Sequence, residues 1–98
     1  MTYEVPLKTV ANQSLSTALN EHDVDISLKT AYDMLLVDIT IDGEAVCAGV
    51  KCISEMPLIP RQSELALGGR LYFKTIDGSY PTKDNVGTTN CRLLFEEF

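Results

Sequence analysis

The sequence predicts an all-β protein, a small antiparallel β-sandwich or partly open barrel of six to seven strands. Three observations carry this. Short runs alternating apolar and polar residues recur at a spacing of roughly 8–12 residues, the rhythm of small sandwiches and barrels. Asp42-Gly43 lies between two of these runs, and Asp-Gly in that setting is the strongest short-range hairpin signal. No segment keeps a helical period over three turns. Short connections between the runs make the pairing mostly antiparallel.

Residues 3–9 alternate but contain Pro6, which donates nothing to a ladder, so they suit an edge strand or an extended arm. Asn12-Gln13-Ser14 reads as a turn. The next run, 14–19, puts Leu15 and Leu19 on one face. Asn20-Glu21-His22-Asp23 reads as a polar four-residue connection into the strand 24–30, with Val24, Ile26 and Leu28 inward. Ala31-Tyr32-Asp33 links this first hairpin to the second. There, Leu35, Val37, Ile39 and Ile41 share a face, opposite Leu36, Asp38 and Thr40. Beyond Asp42-Gly43, Val46, Ala48 and Val50 share one face and Ala45, Cys47 and Gly49 the other. Small apolar residues on both faces predict a central strand, and Gly49 marks a bulge or a close backbone approach.

Pro57 and Pro60 bracket Leu58-Ile59 and forbid a regular helix or central strand over 54–62. That link is expected to run extended, with Leu58 or Ile59 against the core. Residues 63–67 fit either a short helical turn or a short strand. Gly68-Gly69 punctuates before a strand over 70–76, which Asp77-Gly78 ends. A long polar loop over 79–89 precedes the last strand, 90–98, in which Cys91, Leu93 and Phe95 alternate with Arg92, Leu94 and Glu96. The 98 residues form a single domain, 1–98, because too little chain would remain for a second core.

Fourteen acidic against eight basic residues give a net charge of −6. With no Lys/Arg cluster to release counterions, specific nucleic-acid binding is not expected, nor is attraction to an anionic membrane. The acidity serves solubility, or matches a basic partner. No apolar run approaches the roughly 20 residues that span a bilayer. The N-terminus lacks the basic and apolar regions of a secretory signal, so a soluble product made in a cytosol is expected.

The residues offer no catalytic, cofactor or metal site. His22, the only histidine, lies at a hairpin tip that supplies no rigid triad geometry. Cys47 and Cys52 on one strand point to opposite faces and cannot share a tetrahedral metal; Cys91 could approach Cys47 across the sheet. All three are expected to behave as small hydrophobes. Asp77-Gly78-Ser79 begins like a calcium loop, but Tyr80 and Pro81 break the ligand spacing. Gly68-Gly69 lacks the Lys-Ser/Thr of a phosphate loop. Tyr72, Phe73 and Tyr80 could form a small aromatic platform, though core and rim packing explains them better. The chain ends on Glu96-Glu97-Phe98, where Phe98 is either solvated or an anchor on a partner.

Read in order, Val5-Pro6-Leu7, Asn12-Gln13, Tyr32, the run from Leu35 to Ile41, Asp42-Gly43 and Gly49 make up the first half of a pattern. Pro57-Leu58-Ile59, the run from Leu67 to Phe73, Asp84, Val86-Gly87 and Arg92-Leu93-Leu94-Phe95 complete it. Over nearly its whole length the chain resembles the baseplate plug proteins of contractile-tailed phages and prophages. It departs from them at Met34 or Leu35, where an aromatic is expected early in the strand. The resemblance implies a non-enzymatic structural protein of the virion tail baseplate, assembled in the host cytoplasm. It implies a plug that sits at the tail hub near the spike and closes the tube lumen before DNA ejection. Its partners would be hub and spike proteins, with several copies, three for a threefold hub, as a homotrimer around the axis. Pro57, Leu58, Ile59, Tyr72, Tyr80 and Phe98 are the candidate interface residues. A different reading, a small β-barrel ligand- or protein-binding module, predicts a cavity lined by Leu58, Tyr72 and Phe73, between the 79–89 loop and the Pro57–Pro60 link.

Overall fold

The computed structural model describes residues 1–98. Four strands form one antiparallel sheet in sequence order: β2 (Gln13–Leu19), β3 (His22–Ala31), β4 (Met34–Ile41) and β5 (Glu44–Lys51). Each neighbouring pair is joined by a two-residue turn, Asn20-Glu21, Tyr32-Asp33 or Asp42-Gly43. All six turn residues have positive φ, as type I′ turns require. Asp and Asn tolerate that region; Glu21 and Tyr32 do so only because both flanking strands hold them there.

The expected four-residue connection over 20–23 is therefore shorter, and β3 begins at His22. The neighbouring turn causes this. Asp42 N–H donates to the Asp23 carbonyl at 2.7 Å, Asp23 N–H donates to Asp42 Oδ1 at 2.9 Å, and His22 Nδ1 lies 2.6 Å from Asp42 Oδ2. These bonds hold His22 and Asp23 in the ladder.

Val24, Ile26 and Leu28 of β3 and Leu35, Val37 and Ile39 of β4 face inward and are buried. On β5 the alternation breaks. Its register shifts twice against β4, so that Val50 lies opposite Val37 and Cys47 opposite Ile39, with Gly49 N–H donating to the Asp38 carboxylate at 2.6 Å. Cys47 and Val50 thus share the core face, contrary to simple alternation. β5 is also an edge strand and not the expected central one. Bulges and terminal charges (Glu44, Lys51) are what an exposed edge carries.

The second sheet has the order β1-β7-β6, with β1 (Thr2–Val5), β6 (Gly69–Thr75) and β7 (Cys91–Glu97). Its inward residues, Val5, Leu71, Phe73, Cys91, Leu93 and Phe95, pack against the first sheet. The two sheets face each other as a sandwich and do not close into a barrel. Between β5 and β6 the chain runs along the β6 edge: Glu55 N–H donates to the Phe73 carbonyl and Leu58 N–H to the Leu71 carbonyl, at 2.6 and 3.0 Å. Leu58 and Ile59 both enter the core, at 3% and 4% exposure. Residues 63–67 resolve as helix: α1 (Arg61–Leu67) starts after Pro60 and ends at left-handed Gly68, whose N–H donates to the Glu64 carbonyl. Its buried residues Glu64 and Leu67 are spaced i,i+3, a spacing only a helix puts on one face.

The long loop after β6 is polar but tied down. Val86 is fully buried, and its carbonyl accepts a 2.7 Å bond from Thr9 Oγ1. Gly87 has φ +80°, and a Cβ there would run into the Leu7 carbonyl. Residues 6–12 thereby cross from β1 to β2 at the end of the sandwich opposite α1. One flank is closed by the link along β6, and the other is an open seam between the β1 and β2 edges.

At Gly43 (φ +83°) a Cβ would meet nothing within 4 Å, so a substitution there acts through backbone strain alone. Gly43→Val is expected to cost about 1–3 kcal/mol by urea denaturation; an unchanged midpoint would overturn the turn assignment. Gly87→Ala adds a backbone collision to the same strain, and its urea midpoint is expected to fall further than that of Gly43→Val.

Candidate assembly surface

The two outer faces of the sandwich differ in chemistry. On the four-stranded sheet the outer residues Ser14, Ser16, Asp23, Asp25, Ser27 and Asp38 make a surface of small and acidic side chains, with Lys29 as a cation 4.0 Å from Asp38. The three-stranded sheet carries three charge pairs. Arg70 Nε lies 3.9 Å from Glu96, Arg92 lies 3.9 Å from Glu4, and Lys74 Nζ lies 2.9 Å from Glu55. Exposed pairs of this kind contribute little stability. At their centre Tyr72 stands directly opposite Leu94, and Leu94 is buried although it points outward.

At the helix end of the molecule Phe98 closes back on the fold. Its N–H donates to the Gly68 carbonyl at 2.9 Å. Two guanidinium groups approach its ring, Arg61 at 5.2 Å and Arg70 at 5.9 Å from the centroid. Phe98 still exposes 59% of its surface, and Leu65, one helical turn beyond Arg61, exposes 61%. Arg70 and Tyr72 line one shallow depression with Glu55 and Glu96, so the patch runs from Arg61 through Phe98 and Arg70 to Tyr72. Two of the three arginines of an acidic chain meet there. Aromatic residues and Arg are the side chains that dominate interface energetics.

The six residues singled out from sequence do not form one surface. Phe98 and Tyr72 belong to this patch. Pro57 is exposed on the link beside β6. Tyr80 sits elsewhere, its ring 4.8 Å from Lys51 Nζ. Leu58 and Ile59 are core residues, because the link hydrogen-bonds along β6 and turns both side chains under the sheet. Arg61, Leu65 and Arg70 were not among the candidates. Their signal lies in the nine-residue spacing of Arg61 and Arg70, which gains meaning only once α1 folds back beside β6. The aromatic platform does not form either, since Phe73 is buried on the opposite face of β6 from Tyr72. With Leu58 and Phe73 both in the core, the cavity expected between the link and the loop is filled, and no depression has either residue in its wall.

A comparison with protein-family models matches residues 2–97 to the family described as cyanophage baseplate Pam3 plug gp18. The chain belongs to this baseplate plug family. It is therefore a structural component of a phage tail baseplate. No curated protein matches the chain.

Two carboxylates and the three cysteines of this family member have pKa shifts that arise from local hydrogen bonds and burial. The Asp42 carboxyl is held below its usual range by the hydrogen bond from His22 and then by that from Asp23 N–H. Asp77 is lowered in the same way by the Ser79 hydroxyl and N–H, which makes Asp77-Gly78-Ser79 a self-bonded turn. All three cysteines are free thiols. Burial pushes Cys52 up to about 12 and Cys91 up to about 11, and it raises Cys47 as well. The β5 bulges bring Cys47 to the core side that Cys52 also occupies. Thiols of this kind carry little thiolate at neutral pH. Timed alkylation followed by mass spectrometry at pH 8 is expected to label partly exposed Cys47 first. Cys52 and Cys91 are expected to react only on unfolding; labelling of either at the Cys47 rate in native protein would contradict their burial.

Proposed function

We propose that the protein is a non-enzymatic plug at the tail hub, near the spike, that closes the tube lumen before DNA ejection. Its partners are hub and spike proteins, and several copies, three on a threefold hub, surround the axis. Assembly takes place in the host cytoplasm and the finished location is the virion baseplate. The observation that carries this reading is the family match over residues 2–97. Two physical features support it. The acidic outer face of the four-stranded sheet repels a passing phosphate backbone and does not trap it. The patch of Arg61, Arg70, Tyr72 and Phe98, whose arginines pair with Glu64 and Glu96, supplies an arginine and aromatic anchor for a protein partner, with Pro57 at its flank.

Mass spectrometry of purified tails is expected to find the protein at a fixed ratio to hub protein; its absence from intact tails would overturn the reading. Phe98→Ala and Tyr72→Ala remove exposed or half-exposed rings. Each is expected to lower incorporation into tails roughly 10- to 100-fold, the scale of a hot-spot truncation, while the thermal midpoint of the free protein stays nearly unchanged.

A further inference from the structure

The sandwich has four sheet edges, and three of them are blocked against further pairing. Residues 54–58 hydrogen-bond along β6. β5 is bulged twice and carries Glu44 and Lys51. β1 is four residues long and stops at Pro6. The fourth edge, β2, has none of these devices. Its seven residues, QSLSTAL, include no Pro, Gly or charge, and its register against β3 is unbroken from Gln13 to Leu19. An edge of this kind is a template for another strand.

The hydrogen-bond phase says which groups are free. Leu19 and His22 flank a two-residue turn, so they form a bonded pair, and bonding alternates from there. Leu19, Thr17, Leu15 and Gln13 spend their N–H and C=O groups on β3. Those of Ser14, Ser16 and Ala18 point away from the sheet, and all three residues are exposed.

Beside this edge the core is unfinished. Leu15 and Thr17 face inward yet are only half-buried, and Tyr3, inward-facing on β1, exposes 43%. Two depressions follow the seam, one of about 450 Å³ lined by Pro6, Lys8, Val10 and Leu15 beside polar Asn12 and Gln13, the other of about 320 Å³ lined by Tyr3, Thr17, Leu19 and Phe95 together with Glu4 and Glu97. A strand added roughly 4.8 Å outside β2 would send alternate side chains into both.

The outer face sets the charge of that strand. Asp25, next to β2, has Ser16 Oγ as its partner and no cation within salt-bridge distance. Ser14, Ser16 and Ala18 are small enough for a long basic side chain to reach across to it. A second copy fits poorly, because it brings a net charge of −6 and the same acidic face. An isologous β2–β2 pair also stops at two.

We propose that the β2 edge binds an extended segment of another polypeptide, apolar on the alternate positions that enter the seam and basic on those above Asp25, extending the four-stranded sheet to five. This site is separate from the Phe98 patch and stands whether or not that patch meets the hub.

The test is amide hydrogen exchange of the full chain with a synthetic peptide as long as β2, alternating Val and Lys. A Val/Glu peptide of the same length is the control. Exchange at Ser14, Ser16 and Ala18 is expected to slow about tenfold once nine-tenths of the protein is bound, with little change for Val/Glu. Ser16→Pro deletes an outward N–H without removing a bond to β3, and Ser16→Lys places an edge charge if the proline variant folds poorly. Both are expected to lose the protection. Unchanged exchange at these three amides would overturn the proposal, as would equal protection by Val/Glu. Protection that grows with protein concentration and needs no peptide would make the occupant a second copy, and would overturn it too.

Discussion

Register is the constraint on which this structure depends. In a sheet with one buried face, a slip of one residue moves every inward side chain to solvent. Three successive two-residue turns remove that freedom across the whole four-stranded sheet. They fix Val24, Ile26 and Leu28 beside Leu35, Val37 and Ile39, and this surface is what Leu71, Phe73, Leu93 and Phe95 pack against. A left-handed residue other than Gly, Asn or Asp costs roughly 1–2 kcal/mol, and Glu21 and Tyr32 both bear it. One fully buried Ile, Leu or Phe contributes about 1.5–3 kcal/mol, so a correct register over six inward positions outweighs both strained residues.

From the register follow the edges, and from the edges the surfaces available for assembly. The link after β5 has to reach β6 on the far sheet, and it does so by bonding along β6. That closes one flank of the sandwich and buries Leu58 and Ile59. At the other flank β1 and β2 lie side by side as edges of different sheets, with no backbone bonds between them, so the seam stays open. The helix folds back at one end and brings Arg61 and Arg70 to Phe98. An acidic face, an arginine and aromatic patch and an open edge thus result from one path of the chain.

Some of this was legible in the residues. Asp42-Gly43, the alternation from Leu35 to Ile41, the edge role signalled by Pro6 and the all-β class follow from local physics, and the structure has each. Phe98 and Tyr72 are exposed or half-exposed, but which of the six candidate interface residues would lie together was not legible, since Leu58 and Ile59 are buried. Other features were not. β5 reads as central because its apolar residues lie on both faces, but its two bulges place Cys47 and Val50 together and leave Ala45 and Ala48 outside. Asn20-Glu21-His22-Asp23 reads as four loop residues, since nothing nearby announces that Asp42 will bind His22 and Asp23.

The sequence by itself determined the class, the strand periodicity and the tightest turn, because steric preferences of φ and the twofold alternation of side chains act over a few residues. It also determined the family, through the order of short motifs along the chain. Only the tertiary structure decided that β5 became an edge, which thiols share the core and which link residues are buried. It alone brought Arg61 and Arg70 to Phe98. Those outcomes rest on hydrogen bonds and packing between residues tens of positions apart, where local propensity carries no information.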